Sequence, residues 1–172
     1  VTASGDRLYV ANFGSSDLSV IDSNTRSESY HQVTSSVNTG TGTRAVAVTP
    51  DGGRLYVGTN QGYIIVDTVD FGVIPGASTG TSTKSVAITP DGTLAIVLTT
   101  QGFVLVFDIA PGSAKENQVI GSSGSGTSAK SVSVSPDGGL AFIVTDTVIL
   151  VVSLDFGSGV AVMADEVVAP LT

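Results

Sequence analysis

The sequence predicts an all-β fold made of repeated four-stranded antiparallel sheets, and three observations lead to that prediction. A turn motif recurs as Thr-Pro-Asp-Gly at residues 49–52 and 89–92 and as Ser-Pro-Asp-Gly at 135–138, with a degenerate copy, Thr-Ala-Ser-Gly, at 2–5. Successive copies begin 47, 40 and 46 residues apart. Short runs rich in β-branched and aromatic residues flank each copy, and no segment has helical periodicity. All-strand repeats of roughly 40–50 residues are typical of β-propeller blades.

Each repeat is expected to contain four strands. The first, before the turn, is a small apolar alternation at residues 45–48, 86–88 and 132–134. The second follows the turn at 8–10, 55–57, 94–97 and 140–144. The third is the most apolar, at 18–21, 63–66, 103–107 and 148–152. The fourth is short and irregular, near 30–33, 73–74, 118–120 and 160–163.

The recurring turn has a physical explanation of its own. Proline at the second position presets φ for a type I turn, and glycine takes the left-handed conformation that a hairpin bulge requires. The first and second strands of each repeat are therefore predicted to form an antiparallel hairpin. Because turn chemistry already accounts for Asp51, Asp91 and Asp137, we interpret them as structural residues rather than as calcium ligands.

The first half of the chain also carries a recognisable series of motifs. These are Arg-Leu-Tyr-Val-Ala-Asn at 7–12, Leu-Ser-Val-Ile-Asp at 18–22, Gly-Thr-Gly at 40–42 and Ala-Val-Ala-Val-Thr-Pro-Asp-Gly at 45–52. The series resembles the YVTN-type β-propeller repeat of YncE-like and surface-layer-associated proteins. Later repeats drift, because Ala-Ile-Val at 95–97 and Ala-Phe-Ile at 141–143 replace its Leu-Tyr-Val core. The resemblance implies a propeller fold over the whole chain, and since the family has many functions it implies no activity.

By this register the chain is one partial propeller domain of four blades, with approximate bounds 1–44, 45–84, 85–130 and 131–172. Residues 1–2 align with the end of a first strand, so the first blade is expected to lack that strand. An open arc leaves an apolar face at each end, and burying about 500 Å² of such a face would be worth roughly 12 kcal/mol. We therefore expect part of a ring that a second chain or further sequence completes, rather than a closed four-blade ring. The tail at 167–171 is an alternative source of the missing strand.

The composition excludes several classes of function. The 172 residues include no cysteine and one histidine, which rules out disulfide scaffolds, thiolate zinc sites, cysteine nucleophiles and histidine metal clusters. Seven basic and fifteen acidic residues give a formal net charge of −8, which argues against nucleic-acid binding. No apolar run approaches the roughly 18 residues of a membrane-spanning helix, so no membrane insertion is expected.

Three of the seven basic residues share one repeat position. Arg44, Lys84 and Lys130 each precede the turn motif by five residues, directly ahead of the innermost strand. This position places them on one face of a propeller, near the central channel, where they could bind a carboxylate or phosphate. The alternative interpretation is structural: each long side chain covers the end of a strand and meets a nearby carboxylate.

Other polar residues give no catalytic arrangement, and we predict no catalytic residues, no metal and no cofactor. His31 is placed on an outer fourth strand without a second metal ligand or a serine partner. The Gly/Ser-rich segment at 121–126 lacks the lysine of a phosphate-binding loop. Asp22, Asp67 and Asp108 end third strands, where aspartate commonly bonds the turn backbone.

These features favour a non-catalytic propeller module that serves as a rigid interaction scaffold. Its expected partners are a protein, a glycan or another copy of itself, the last as a homodimer that completes a ring. Abundant serine, threonine and glycine without cysteine favour an extracellular, periplasmic or cell-surface location. The alternative is a fragment of a lactonase-like or quinoprotein-like propeller enzyme whose catalytic residues lie outside this chain.

Overall fold

The strands of the chain form four separate antiparallel sheets, which we call blades 1 to 4 in chain order. The computed structural model describes residues 1–40, 42–125, 129–154 and 166–168. Blade 1 contains β1 (Arg7–Asn12), β2 (Asp17–Asp22) and β3 (Val33–Asn38). Blade 2 contains β4 (Ala45–Val48), β5 (Arg54–Thr59), β6 (Gly62–Asp67) and β7 (Val73–Ile74). Blade 3 contains β8 (Thr83–Ile88), β9 (Leu94–Thr99), β10 (Phe103–Asp108) and β11 (Gln118–Gly124), and blade 4 contains β12 (Ser131–Val134), β13 (Leu140–Val144), β14 (Ile149–Ser153) and β15 (Glu166–Val168).

Within each blade the strands lie in chain order, each antiparallel to the next. This meander confirms the predicted all-β fold, and the described residues include no helix of the length and hydrophobicity that a membrane crossing requires. The predicted turns are also confirmed: Gly52, Gly92 and Gly138 have φ of 73°, 72° and 77°. Gly5 has φ of 76°, and its amide donates to Thr2 as that of Gly52 donates to Thr49, so the degenerate copy is the same turn.

Blade 1 lacks its inner strand, as predicted, and residues 1–2 hold the position where that strand would end. The amide of Thr2 donates to the carbonyl of Arg7 at 3.0 Å, which repeats the 2.9 Å bond from Thr49 to Arg54 in blade 2. The described part of the tail, residues 166–168, does not supply the missing strand. Val167 and Val168 pair with Leu150 and Ile149 instead, so residues 166–168 form the fourth strand of blade 4.

The fourth strands depart most from the sequence predictions. In blade 1 the strand begins at Val33, so the prediction at 30–33 was wrong, and His31 lies in a turn with φ of 65° rather than on a strand. In blade 3 it extends beyond residue 120 to Gly124. The strand predicted at 160–163 lies outside the described residues.

The core is divided among the contacts between successive blades. Leu18, Val20, Leu55 and Val57 belong to the cluster between blades 1 and 2. Tyr56, Ile65, Ala95 and Phe107 belong to the cluster between blades 2 and 3. Ile96, Leu98, Ala141 and Ile143 belong to the cluster between blades 3 and 4. No such cluster joins blade 4 to blade 1 within the described residues, so the four blades form an open arc rather than a closed ring.

Candidate binding rim

The inner strands β4, β8 and β12 lie side by side, with β4 against β8 and β8 against β12. Their turns stack in the same order, since a Cβ built on Gly92 would lie 3.3 Å from Pro50 and one on Gly138 would lie 3.4 Å from Pro90. The three strands therefore run in one direction and begin on one face of the arc. We call Arg44, Lys84 and Lys130, on that face, the binding rim.

Lys84 lies inside an inner strand, not ahead of it as predicted. Thr83 pairs with Thr99 and Ser85 pairs with Leu98, so Lys84 is the extra residue of a β-bulge. The bulge turns its side chain toward blade 4, where Nζ donates to the carbonyl oxygen of Ala129 at 2.5 Å. Ala129 is buried in the loop that leads into β12. The half-buried lysine thus links two neighbouring blades.

Arg44 directly precedes β4 and is exposed. Its Nε donates to Oδ1 of Asn60 at 3.1 Å, and its guanidinium carbon lies 4.1 Å from the ring centre of Phe13 in blade 1. A cation over an aromatic face is stabilised by about 0.5–1 kcal/mol at an exposed site. Because the planar guanidinium carries five donors, contact with Asn60 and Phe13 leaves it able to meet an anion as well.

Lys130 directly precedes β12 and pairs with a carboxylate of its own blade. Its Nζ lies 3.0 Å from Asp146 Oδ1, with the two side chains 53% and 55% exposed. An ion pair this exposed contributes about 0–1 kcal/mol to the stability of the fold. The carboxylate of a ligand could therefore replace Asp146 beside Lys130 at little cost in free energy. Each rim cation therefore has a local contact, and anion binding by the rim stays a prediction.

Hydroxyl groups order the loops that lead into the rim. Thr39 Oγ1 donates to the carbonyl of Ser16 at 2.7 Å, Thr83 Oγ1 to that of Gly62 at 2.7 Å, and Ser125 Oγ to that of Gly102 at 2.9 Å. Each bond ties the start of an inner strand, or the loop before it, to the hairpin between the second and third strands of the preceding blade. The serine- and threonine-rich composition therefore builds a rigid surface around the cations.

The opposite face of the arc carries a cleft that the sequence did not predict. It has a volume of about 500 Å³ and is lined by Asp51, Arg54, Tyr56 and Asp91, among others, between blades 2 and 3. The Tyr56 hydroxyl is buried without a hydrogen-bond partner in the described part of the chain. Burial raises the pKa of Tyr56, and the Arg54 cation beside it opposes part of that rise. The recurring Arg-Leu-Tyr at 7–9 and 54–56 was the available sequence signal.

The acidic residues singled out in the sequence are engaged in turns. Asp22, Asp67 and Asp108 each end a third strand, and each accepts a backbone N–H bond from two residues further on, at 2.8, 2.7 and 3.0 Å. The predicted structural role is confirmed for all three. Within the described ranges no group of three or more histidine, cysteine, aspartate or glutamate residues could hold a metal ion. His31 stacks on Tyr30, with ring centres 3.6 Å apart.

Arg54 and Tyr63 make polar contacts between blades 2 and 3. Arg54 Nη1 lies 3.2 Å from Glu116 Oε1, and the Tyr63 hydroxyl donates to Asn117 Oδ1 at 3.4 Å. Both acceptors precede β11, so the loop between the third and fourth strands of blade 3 reaches back to blade 2. Sequence reasoning missed this role because the loop differs in length and content from its counterparts.

Comparisons with solved structures identify the fold as that of a β-propeller. The chain superposes on the hydrazine synthase of Kuenenia stuttgartiensis with a TM-score of 0.77 and 26% identity, over 98% of this chain and 47% of that one. It superposes on a putative 6-phosphogluconolactonase from Bacteroides uniformis with a TM-score of 0.78 and 14% identity, over 99% of this chain and 55% of that one. This chain is a partial β-propeller. It spans about half the length of each of these two structures.

No protein-family model matches the sequence, and no curated protein matches it either. The likeness to solved structures therefore supports the β-propeller fold, and it does not show membership of the YVTN-type family. Propellers serve many unrelated functions, so the activity has to be argued from the surfaces of this chain.

Proposed function

We propose that this chain is a non-catalytic β-propeller module with YVTN-type repeats, and that it acts as a rigid interaction scaffold. The binding rim is its contact surface, and a protein or glycan that carries carboxylate, sulfate or phosphate groups is its partner. An exported or cell-surface location fits a partner of this kind. The observation that carries the proposal is the alignment of Arg44, Lys84 and Lys130 at one end of adjacent inner strands.

The engagement of the other polar groups supports a scaffold. The aspartates of the recurring turns and those that end third strands accept hydrogen bonds within their own turns. Each of these carboxylates is therefore engaged in holding its own turn. The rim, by contrast, presents positive charge on a chain whose formal net charge is −8, so its local attraction for anions is distinct from the rest of the surface.

The test measures binding of a polyanion to the rim. The wild-type chain is titrated with heparin at low ionic strength beside a variant that carries Arg44→Ala, Lys84→Ala and Lys130→Ala. A matched variant carries Arg7→Ala, Arg26→Ala and Lys115→Ala, so both variants lose three positive charges. We expect the rim variant to lose at least tenfold in affinity and the matched variant to stay near wild type, with added salt weakening all binding.

Two outcomes contradict the proposal. Equal losses in both variants would mean that total charge, not the rim, controls binding. Hydrolysis of 6-phosphogluconolactone by the wild-type chain above the spontaneous rate would favour the enzyme alternative, since one structural neighbour is described as a putative 6-phosphogluconolactonase.

A further inference from the structure

Two clefts on the face opposite the binding rim are built alike. The larger, which we call the 2/3 cleft, has a volume of about 500 Å³ and is lined by Arg54 and Tyr56 between blades 2 and 3. The smaller, the 1/2 cleft, has a volume of about 380 Å³ and is lined by Arg7 and Tyr9 between blades 1 and 2. Both volumes fall within the range of roughly 300–1,000 Å³ that is usual for small-molecule sites.

Each cleft is lined by a buried tyrosine whose hydroxyl lacks a hydrogen bond. Tyr56 is 1% exposed and Tyr9 is 5% exposed, and neither hydroxyl has a partner among the described residues. Buried polar groups in native proteins nearly always have a partner. Two orphan hydroxyls at equivalent places therefore point to a polar group that each cleft receives.

The fold does not require a hydroxyl at this position. Tyr9 and Tyr56 each stand seven residues after the first residue of their turn, and the residue at the same distance is Ile96 in blade 3 and Phe142 in blade 4. Ile96 is fully buried in the cluster between blades 3 and 4, so an apolar side chain completes that joint. The arginine and the tyrosine thus occur together only in the first two repeats, where the two clefts lie.

The charges of the 2/3 cleft argue against an anionic ligand. Its lining includes the carboxylates of Asp51, Asp67 and Asp91 together with the guanidinium of Arg54. Arg54 is already paired across the joint, because its Nη1 lies 3.2 Å from Glu116 Oε1. The carboxylates therefore outnumber the cation, and an anion would be repelled, in contrast to the binding rim.

The hydrogen-bonding groups of the cleft call for a ligand that both donates and accepts. Asp51 and Asp67 use Oδ1 for the bonds of their own turns, which leaves Oδ2 of each able to accept from a ligand. Burial raises the pKa of Tyr56, so its hydroxyl keeps its proton at neutral pH and can donate. A neutral hydroxyl group meets both needs, since it donates one hydrogen bond and accepts others.

We propose that the 2/3 cleft and the 1/2 cleft each bind a neutral sugar. The tyrosine hydroxyl donates to an oxygen of the sugar, and the carboxylates accept from sugar hydroxyls. Asp6 and Asp51 take the carboxylate role in the 1/2 cleft. Val69, Ile109 and Pro111 add apolar surface to the 2/3 cleft, against which the C–H groups of a sugar ring can pack. The site lies on the face opposite the rim, so it goes beyond the proposed function and does not depend on it.

Saturation-transfer difference NMR tests the proposal on the complete chain. The probes are glucose, galactose, mannose and N-acetylglucosamine, of which we expect at least one to bind at millimolar concentration. The double variant Tyr9→Phe, Tyr56→Phe should lose about tenfold in affinity for that sugar, the effect of one hydrogen bond in each cleft.

The matched control changes the other two of the four tyrosines, as Tyr30→Phe, Tyr63→Phe. Tyr30 is 38% exposed, and the Tyr63 hydroxyl already donates to Asn117 Oδ1. This variant loses the same number of hydroxyl groups, and it should bind the sugar as the wild type does. Equal losses in the two double variants would overturn the proposal.

Two further measurements separate this site from the rim. Sugar binding should be unchanged by added salt, because the ligand is neutral. The variant with Arg44→Ala, Lys84→Ala and Lys130→Ala should also bind the sugar like wild type, even where it loses heparin. Loss of sugar binding in the rim variant would overturn the proposal, whereas failure of heparin binding alone would count only against the proposed function.

Thermal unfolding without ligand distinguishes a sugar site from hydroxyls that serve the fold. Because an unpartnered hydroxyl adds nothing to stability, the Tm of Tyr9→Phe, Tyr56→Phe should be no lower than that of wild type. A lower Tm would mean that the hydroxyls are engaged in the folded chain, for example by buried water, and would overturn the proposal. Absence of saturation transfer to all four sugars would overturn it as well.

Discussion

At the scale of single residues, the recurring aspartate is the clearest case of a side chain with a structural role. In blade 2 the Thr49 hydroxyl donates to Asp51 Oδ1 at 2.5 Å, and the amide of Gly53 donates to the same oxygen at 3.0 Å. In blade 4 the Ser135 hydroxyl and the amide of Gly139 hold Asp137 in the same way. These hydrogen bonds favour the carboxylate, and they lower the pKa of both aspartates below the ordinary value of 3.8.

Acid should therefore weaken the turns. A carboxyl group whose pKa is lower in the folded state than in the unfolded state adds stability above its unfolded pKa, and that stability disappears as the pH falls through the folded value. We expect the double variant Asp51→Asn, Asp137→Asn to be less stable than wild type at neutral pH. The difference in free energy of unfolding should shrink below about pH 4, as the wild-type carboxylates become protonated.

Urea unfolding at a series of pH values measures this difference. Glu28→Gln is a suitable control because Glu28 is exposed and lies outside the recurring turns. A stability difference between wild type and the double variant that stays constant from neutral pH to pH 3 would contradict a role for the negative charge.

The contacts of the rim cations depend on residues that the sequence repeat does not preserve. The hairpin position that faces them is Phe13, Asn60, Thr100 and Asp146 in successive blades. Arg44 meets Phe13 and Asn60, and Lys130 meets Asp146. Lys84 reaches instead to the carbonyl of Ala129. The repeat was therefore enough to predict a common location for the three cations, whereas their partners depend on one variable residue in each hairpin.

At the scale of elements, the second and third strands were the most predictable because both of their faces are used. Leu55 and Val57 face blade 1, while Tyr56 faces blade 3, so the whole run must be apolar. The outer strand β3 has no such requirement. It contains Thr34, Ser35 and Ser36, and it is held largely by backbone bonds to β2 with a register shift. Backbone pairing leaves little trace in side-chain pattern, which explains why the fourth strands were misplaced.

The outer edge of blade 2 has a very short fourth strand, and the pairing beyond that strand depends on Gly62. Strand β7 has only two residues, and the chain beyond it returns to pair with the start of β6. The amide of Tyr63 donates to the carbonyl of Ala77 at 3.1 Å, and the amide of Thr79 donates to that of Gln61 at 3.1 Å. Gly62 lies between them with φ of 143°, a conformation that favours glycine.

Gly62→Ala should therefore loosen this edge. A Cβ at this position would lie 2.2 Å from the carbonyl oxygen of Ala77, which is backbone and cannot move without breaking the pairing. We expect a loss of about 1–3 kcal/mol in the free energy of unfolding, because strain in φ adds to the steric clash. Denaturant unfolding measures the loss.

Gly14→Ala is the matched control for this change. Gly14 has open space around it and lies outside the group of glycines with positive φ. Its replacement should change stability by no more than about 0.5 kcal/mol. Equal effects of the two substitutions would show that the close approach at Gly62 does not limit the packing of the edge.

At the scale of the whole molecule, stability should depend on the position of a blade in the arc. Blades 2 and 3 are packed on both sides, whereas blades 1 and 4 are each packed on one side among the described residues. The stability of a repeat protein is approximately the sum of the intrinsic stability of each repeat and of the interfaces between neighbours. The repeats at the ends have one interface fewer, so they open first. Blade 1 has the additional weakness of a missing inner strand.

Hydrogen exchange followed by mass spectrometry can resolve this gradient. At low protein concentration, amides of β1, β2, β13 and β14 should exchange faster than those of β5, β6, β9 and β10, because opening an end blade breaks one interface instead of two. Strands β5, β6, β9 and β10 serve as the control, since blades 2 and 3 are packed on both sides. Uniform protection across all four blades would contradict the nearest-neighbour account.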